Sequence, residues 1–234
     1  MEFSKLSSPS LKELFIKELE TMILSGRLAI GEKLPPERDI SKSMQVSRAV
    51  VNTGISELAR KGFLTIKPRI GTFVADYRKN GTLETLISIM NYNGGILRKA
   101  EIRSILELRI AYDKLAIESL VPKVTDDEIK TLRSYVEQMK DAPSFKDVSE
   151  LAFSFQHELA FLSGNTLLPL IFTSFKAPVM TLWERYCQLF GVDSLYNNTS
   201  VLCDYLEQRD AKKAVEWQTS VIMDTINGSR QIYY

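Results

Sequence analysis

Strand signals occur in one short stretch of this chain, between Phe63 and Val74, with short helical patterns before them and long helical patterns after. A chain patterned this way can close one hairpin but no larger sheet, so the rest of its apolar surface must be buried by helix on helix. The expected fold is mostly α: an N-terminal winged helix-turn-helix with a small β-hairpin, followed by an all-α helical bundle. In the first helix, Leu11, Leu14, Phe15, Leu19, Met22 and Ile23 recur at helical spacing, with Ser10 as N-cap and Gly26 as stop. Gly31, Pro35 and Pro36 punctuate a turn, and Pro36 suits the first turn of a second short helix. Residues 45–47 make the next turn, and Ser47 can cap a third helix held by Val50, Val51, Ile55 and Leu58. Residues 63–74 then read as strand, tight turn, strand. Three helices and a hairpin in this order form the winged helix-turn-helix pattern.

The polar stretch around Gly81 reads as a linker. Beyond it, helices are expected at about 84–92, 98–120, 126–141, 146–163, 166–190, 196–208 and 211–227. Thr125 and Glu128 fit a capping box, and Pro178 should kink or split the long apolar stretch. The expected division is a head at 1–78, a linker with a first short helix at 79–95, and a helical body at 96–234.

Charge is uneven along the chain. Residues 1–78 carry 13 Lys/Arg against 9 Asp/Glu, and residues 33–72 carry 8 against 3, while the whole chain has a net charge of only +1. A basic head on a mildly acidic body points the head toward a polyanion. No run is long and apolar enough to span a membrane, and the N-terminal residues lack a signal-peptide pattern. Cys187 and Cys203 are too few for a disulfide framework and fit a reducing cytoplasm.

A groove-reading helix must bring donors to bases and phosphates. The start of the third helix offers Ser47, Arg48 and Asn52; Arg38 lies early in the preceding helix, and Lys67 and Arg69 lie at the wing tip. The competing readings are solvated surface charges and a winged-helix protein-interaction module. An enzyme is disfavoured: one histidine, no glycine-rich phosphate loop and no Cys-His pair offer little chemistry.

Residues 31–74 resemble the DNA-binding head of the GntR family of bacterial transcription regulators. Leu34-Pro35-Pro36-Glu37-Arg38, Val46-Ser47-Arg48, Glu57-Leu58, Gly62 and Gly71-Thr72-Phe73-Val74 carry the resemblance. It implies DNA contacts from Arg38, Arg48 and the wing, including Gly71 and Thr72, and a homodimer on a palindromic double-stranded operator. The chain departs from the family at Asn52-Thr53-Gly54, where Arg-Glu-Ala is usual, and at Arg69, where the wing tip usually has glycine. Gly54 is expected to weaken its helix by about 1 kcal/mol relative to alanine.

The body, over most of residues 96–226, is similar to the FadR-type subgroup, which implies an effector-binding, dimerising bundle. Many members hold a metal with one Asp and three His; those positions fall on Ala152, Gln156, Asn198 and Val221, so no cofactor is expected. The single histidine, His157, is one step off the pattern. The resemblance places Arg103 at a carboxylate-binding position. Periodicity adds Arg109, which falls among Ile102, Ile105, Leu106 and Tyr112; it would meet either a ligand carboxylate or an internal partner such as Glu107 or Asp113. Gln156 and Asn198 would hydrogen-bond the ligand or each other. A small organic acid is the expected effector, and the stretch at 158–172, close to the fatty-acyl-responsive branch, adds an acyl thioester.

Overall fold

The computed structural model describes residues 9–92 and 99–233. Residues 1–8 and the end of the expected linker, 93–95, lie outside the described residues, as does the expected start of the next helix at 98. The chain divides into two compact units, Met1–Gly94 and Gly95–Tyr234. Its fold is mostly α, with one small hairpin in the first unit, as the pattern predicts.

In the head, α1 (Leu11–Leu24), α2 (Glu37–Met44) and α3 (Arg48–Arg60) precede β1 (Leu64–Lys67) and β2 (Gly71–Val74). Ser10 caps α1 and completes a capping box with Glu13. Pro36 is the N-cap of α2, one position earlier than expected. The Ser41 hydroxyl donates to the Val46 carbonyl at 2.6 Å, fixing the turn into α3. The strands pair antiparallel, Leu64 opposite Val74 and Lys67 opposite Gly71. Residues 31–34 lie along the free side of β2: Leu34 N–H donates to Thr72 and Val74 N–H to Glu32, both at 2.9 Å. Part of the hairpin's otherwise open edge is thereby satisfied.

The buried face of α1 differs from the expected one. Leu11 and Leu14 are exposed, and Phe15, Ile16, Leu19, Ile23 and Leu24 are buried. Leu11 and Leu14 face solvent, although Lys12 in the same turn reaches Glu57 of α3 at 2.8 Å. Val51, Ile55 and Leu58 hold α3 to that core. Gly54 has a role that helix propensity alone does not reveal. A Cβ there would lie 2.3 Å from Phe15 Cδ1, so the missing side chain lets the aromatic ring seat on the α3 backbone.

Helices α4 (Tyr77–Asn80) and α5 (Leu83–Asn91) complete this unit. The α5 hydroxyl of Thr85 donates to the Lys61 carbonyl, and Ser88 donates to Glu20 at 2.9 Å. Lys61 Nζ reaches the same Glu20 oxygen at 2.9 Å.

The body contains α6 (Lys99–Leu120), α7 (Asp126–Gln138), α8 (Phe145–Leu162), α9 (Leu168–Ser174), α10 (Lys176–Phe190), α11 (Val192–Glu207) and α12 (Ala211–Asn227). The Thr125–Glu128 capping box forms at the start of α7. Leu120, Leu132, Phe155, Leu159, Leu202 and Leu206 lie in one core drawn from α6, α7, α8 and α11. The stretch at 166–190 divides at Phe175 rather than at Pro178. Pro178 falls in the first turn of α10, where its missing N–H leaves no helical bond unmade. Gly191, at φ 83°, ends α10 and lets α11 start at Val192, four residues before the expected start.

The Phe15–Gly54 contact yields a test. Gly54→Ala should lower stability by about 1 kcal/mol, because overpacking of about 1–3 kcal/mol outweighs a helix-propensity gain of about 1 kcal/mol. Urea denaturation would measure it, and a rise in stability would remove this contact as the constraint.

Candidate functional site

Two sites, one in each unit, carry the residues picked out by the sequence. In the head, Ser47 is extended backbone and its hydroxyl oxygen accepts the Val50 N–H at 3.3 Å. That oxygen is therefore engaged as a cap, while its hydroxyl hydrogen remains available to an acceptor. Arg48, in the first turn of α3, is exposed, and so is Asn52 one turn later. The Asn52 amide donates to Glu37 Oε1 at 3.3 Å, tying the start of α2 to the outer face of α3. Arg38 is exposed, and its 3.4 Å contact with Asp39 is a solvent-facing pair of small worth.

At the wing, Lys67 Nζ stands 4.9 Å from the Phe73 ring centroid. Arg69 occupies the left-handed region at φ 63°, a conformation that favours glycine. This is the physical reason a glycine suits the wing tip; here the chain keeps the turn and gains a charge. Gly71, at φ 134°, leaves room for Lys33, whose Cε would lie 2.7 Å from an added Cβ. The part-buried Thr72 holds residues 31–34 through its carbonyl. Gly71 and Thr72 thus shape the wing.

In the body, α6, α8, α10, α11 and α12 surround an open cavity of about 50 Å³. Arg109, Gln156 and Asn198 all line it, as do Ala152 and Val221. Arg103 does not. It is half-exposed, 2.8 Å from Glu107, and donates to Asn227 at 3.3 Å, so its guanidinium is engaged on the surface. The cavity wall is otherwise largely apolar, with Leu106, Val179, Leu182 and Ile222 among its members.

Arg109 meets the expected internal partner as well as the cavity. Its Nε lies 3.2 Å from Asp113 Oδ2, one turn along α6, and its guanidinium carbon stands 4.8 Å from the Trp183 ring centroid. Asp113 is only 1% exposed and also accepts the Gln218 amide at 2.5 Å. Burial drives its pKa up, against the opposing pull of Arg109 and Gln218. Its Oδ1 has no hydrogen-bond partner among the described residues.

The two cavity amides differ. Asn198 donates to the Tyr186 hydroxyl at 3.0 Å, and that hydroxyl also meets Ser194 at 2.9 Å and Arg230 at 3.2 Å. Gln156 is 5% exposed and bonds neither to Asn198 nor to any other described residue, so its amide is left facing the cavity. His157 points elsewhere, stacked on Phe153 with centroids 5.8 Å apart. Asp113 could be anticipated from its spacing to Arg109. Trp183, Tyr186 and Gln218 enter from distant helices and carried no signal in the sequence.

A family model described as "Bacterial regulatory proteins, gntR family" matches residues 12–74, and one described as "FCD domain" matches residues 104–222. The HTH-type transcriptional regulator LutR of Bacillus subtilis is 26% identical over 148 residues, covering 63% of this chain and 65% of LutR. A fatty acid metabolism regulator protein of Shewanella halifaxensis is 27% identical over 160 residues, covering 68% of this chain and 65% of the relative. The chain thus spans about two thirds of the length of these curated relatives. The solved structure of Lar, which controls expression of the agr system of Listeria monocytogenes, is 13% identical with a TM-score of 0.63, covering 94% of this chain and 97% of Lar. That likeness is one of fold.

Two predictions follow from this geometry. Arg69→Gly should raise stability by about 1 kcal/mol by relieving the left-handed backbone, read as a higher Tm. Arg109→Leu should lower stability by about 3 kcal/mol by stranding the buried Asp113 charge, and Arg109→Leu with Asp113→Leu should recover much of that loss in urea titrations.

Proposed function

The chain belongs to the GntR family of bacterial regulatory proteins and carries an FCD domain, and from that premise we propose that it is a DNA-binding transcriptional regulator whose operator affinity responds to a small anionic effector in the helical body. The observation that carries the reading is the division of labour on α3. Val51, Ile55 and Leu58 anchor the helix in the core, while Arg48 and Asn52 stand exposed on its other side. With the wing cations Lys67 and Arg69, these residues form a basic, donor-rich surface suited to phosphates and base edges. Two copies in a homodimer would present two such helices to the half-sites of a palindrome. Repression follows if the bound dimer blocks transcription and the effector releases it.

The effector reading rests on the cavity, where Arg109 and the unpartnered Gln156 amide face a mostly apolar enclosure. It includes no metal. At the four family ligand positions, Ala152 and Val221 carry no donor atom, and Gln156 and Asn198 offer neutral amides in place of imidazole. It includes no catalysis either. Both thiols are buried, and burial pushes Cys187 up to about 11 and Cys203 up to about 12, leaving neither as a thiolate at neutral pH. Among the described residues no helix is long and apolar enough to cross a membrane, and a reader of DNA would work in the cytoplasm.

Selection of bound fragments from the organism's own genomic DNA, at low and high salt, tests the reading. It should enrich a palindrome, with affinity falling steeply as salt rises. Arg48→Ala should then weaken binding to that site about tenfold, within the range of about 1–3 kcal/mol expected for a specific contact. Unchanged affinity would remove Arg48 from the interface. The absence of salt-dependent DNA binding would favour a protein-interaction module.

A further inference from the structure

The body cavity poses a problem of charge. Arg109 is the cation that lines it, and Asp113 already balances that cation in a place shielded from water. Yet the guanidinium is only partly used. Its Nε lies 3.2 Å from Asp113 as an ion pair without a hydrogen bond, its flat face lies toward Trp183, and Nη1 and Nη2 donate to no acceptor among the described residues. Gln156, a largely buried residue, adds an amide with no hydrogen-bond partner among the described residues to the same enclosure. The site therefore offers unused donors to an acidic group, at a cation whose charge is already matched.

A carboxylate reaching Arg109 would put two negative charges on one guanidinium in a desolvated setting, where both do not stay ionised. We propose that the cavity takes a monocarboxylic acid together with one proton, with Asp113 as the residue that takes the proton, and that, with Arg109 as the cation lining it, it turns away dicarboxylates and phosphate monoesters. The proposal rests on the anionic-effector reading above and adds both the charge of the ligand and a linkage to pH. In the exchange, the ligand carboxylate engages Arg109, a proton from solvent joins the Asp113 carboxylate, and the site stays neutral throughout. No covalent bond to carbon changes. A dianion would leave a residual negative charge without a partner.

The surroundings of Asp113 suit it to this exchange. The titratable groups that bear on it are Arg109 and Tyr112 on its own helix; α12 presents the neutral Gln218 amide. Gln218 donates to Oδ2, so that bond survives protonation at the unpartnered Oδ1. Burial has already moved Asp113 toward its protonated form. The sign is fixed: with the proton bound in the complex, affinity is flat below the pKa of ligand-free Asp113 and falls above it.

The test is calorimetric titration of the full chain with straight-chain monocarboxylates from acetate to decanoate, and with dicarboxylates of matching length. It is run in buffers of differing protonation enthalpy from about pH 6 to about pH 9. Monocarboxylate binding should take up close to one proton at the upper end of that range, with affinity falling about tenfold per pH unit. Asp113→Asn, which keeps an acceptor for Gln218 and removes the charge, should bind monocarboxylates independently of pH and without proton uptake, and should still turn away dicarboxylates. Binding by the unaltered chain without proton uptake at any pH would overturn the proposal and leave the anionic-effector reading standing. A dicarboxylate binding as tightly as its monocarboxylate would also overturn it. Failure of every monocarboxylate to bind, in the unaltered chain and in Asp113→Asn alike, would overturn both.

Discussion

A carboxylate held out of water constrains what the body can be. Asp113 can stay buried only because Arg109 lies one turn away and Gln218 reaches across from α12, so helices far apart in the chain are bound to one charge. Trp183 then presents its ring face to the same guanidinium, bringing α10 into the arrangement. The apolar core built around Leu120, Phe155 and Leu202 supplies the driving force for packing, but it would tolerate many small shifts. The polar cluster tolerates far fewer, since an unpaired charge there is costly, and it fixes how the cavity walls face one another.

The head depends on a different economy of contact. Phe15 seats on α3 only because position 54 has no side chain, and α3 can show Arg48 and Asn52 outward only because its other face is held so closely. The same unit tolerates Gln45 and Arg69 in the left-handed region, at the turn into α3 and at the wing tip. Each is a position where glycine would relax the backbone, and each keeps a polar side chain beside the exposed surface instead.

Much of the fold was legible in the sequence because it is written locally. Capping at Ser10, Ser47 and Thr125, the hairpin around the wing, and the helical spacing of Val51, Ile55 and Leu58 all depend on near neighbours. The misreadings arose where tertiary packing decides. Leu11 and Leu14 have the right period but face solvent, and the break at Phe175 precedes Pro178 because proline suits a helix start. Of the candidate cavity residues, Arg109, Gln156 and Asn198 converge as expected. Arg103 does not, because Glu107 and Asn227 hold it at the surface. Trp183, Tyr186 and Gln218 were invisible beforehand, since only the folded bundle brings their helices to Arg109.

The placement of the two cysteines has a practical consequence. Cys187 and Cys203 both belong to the body, both are buried, and burial holds both as thiols rather than thiolates. A thiol reagent can modify them only when that unit opens, and the head contributes no cysteine of its own. The chain therefore carries a built-in reporter: the rate of alkylation measures local opening of the body alone, without labels and without interference from the DNA-binding unit.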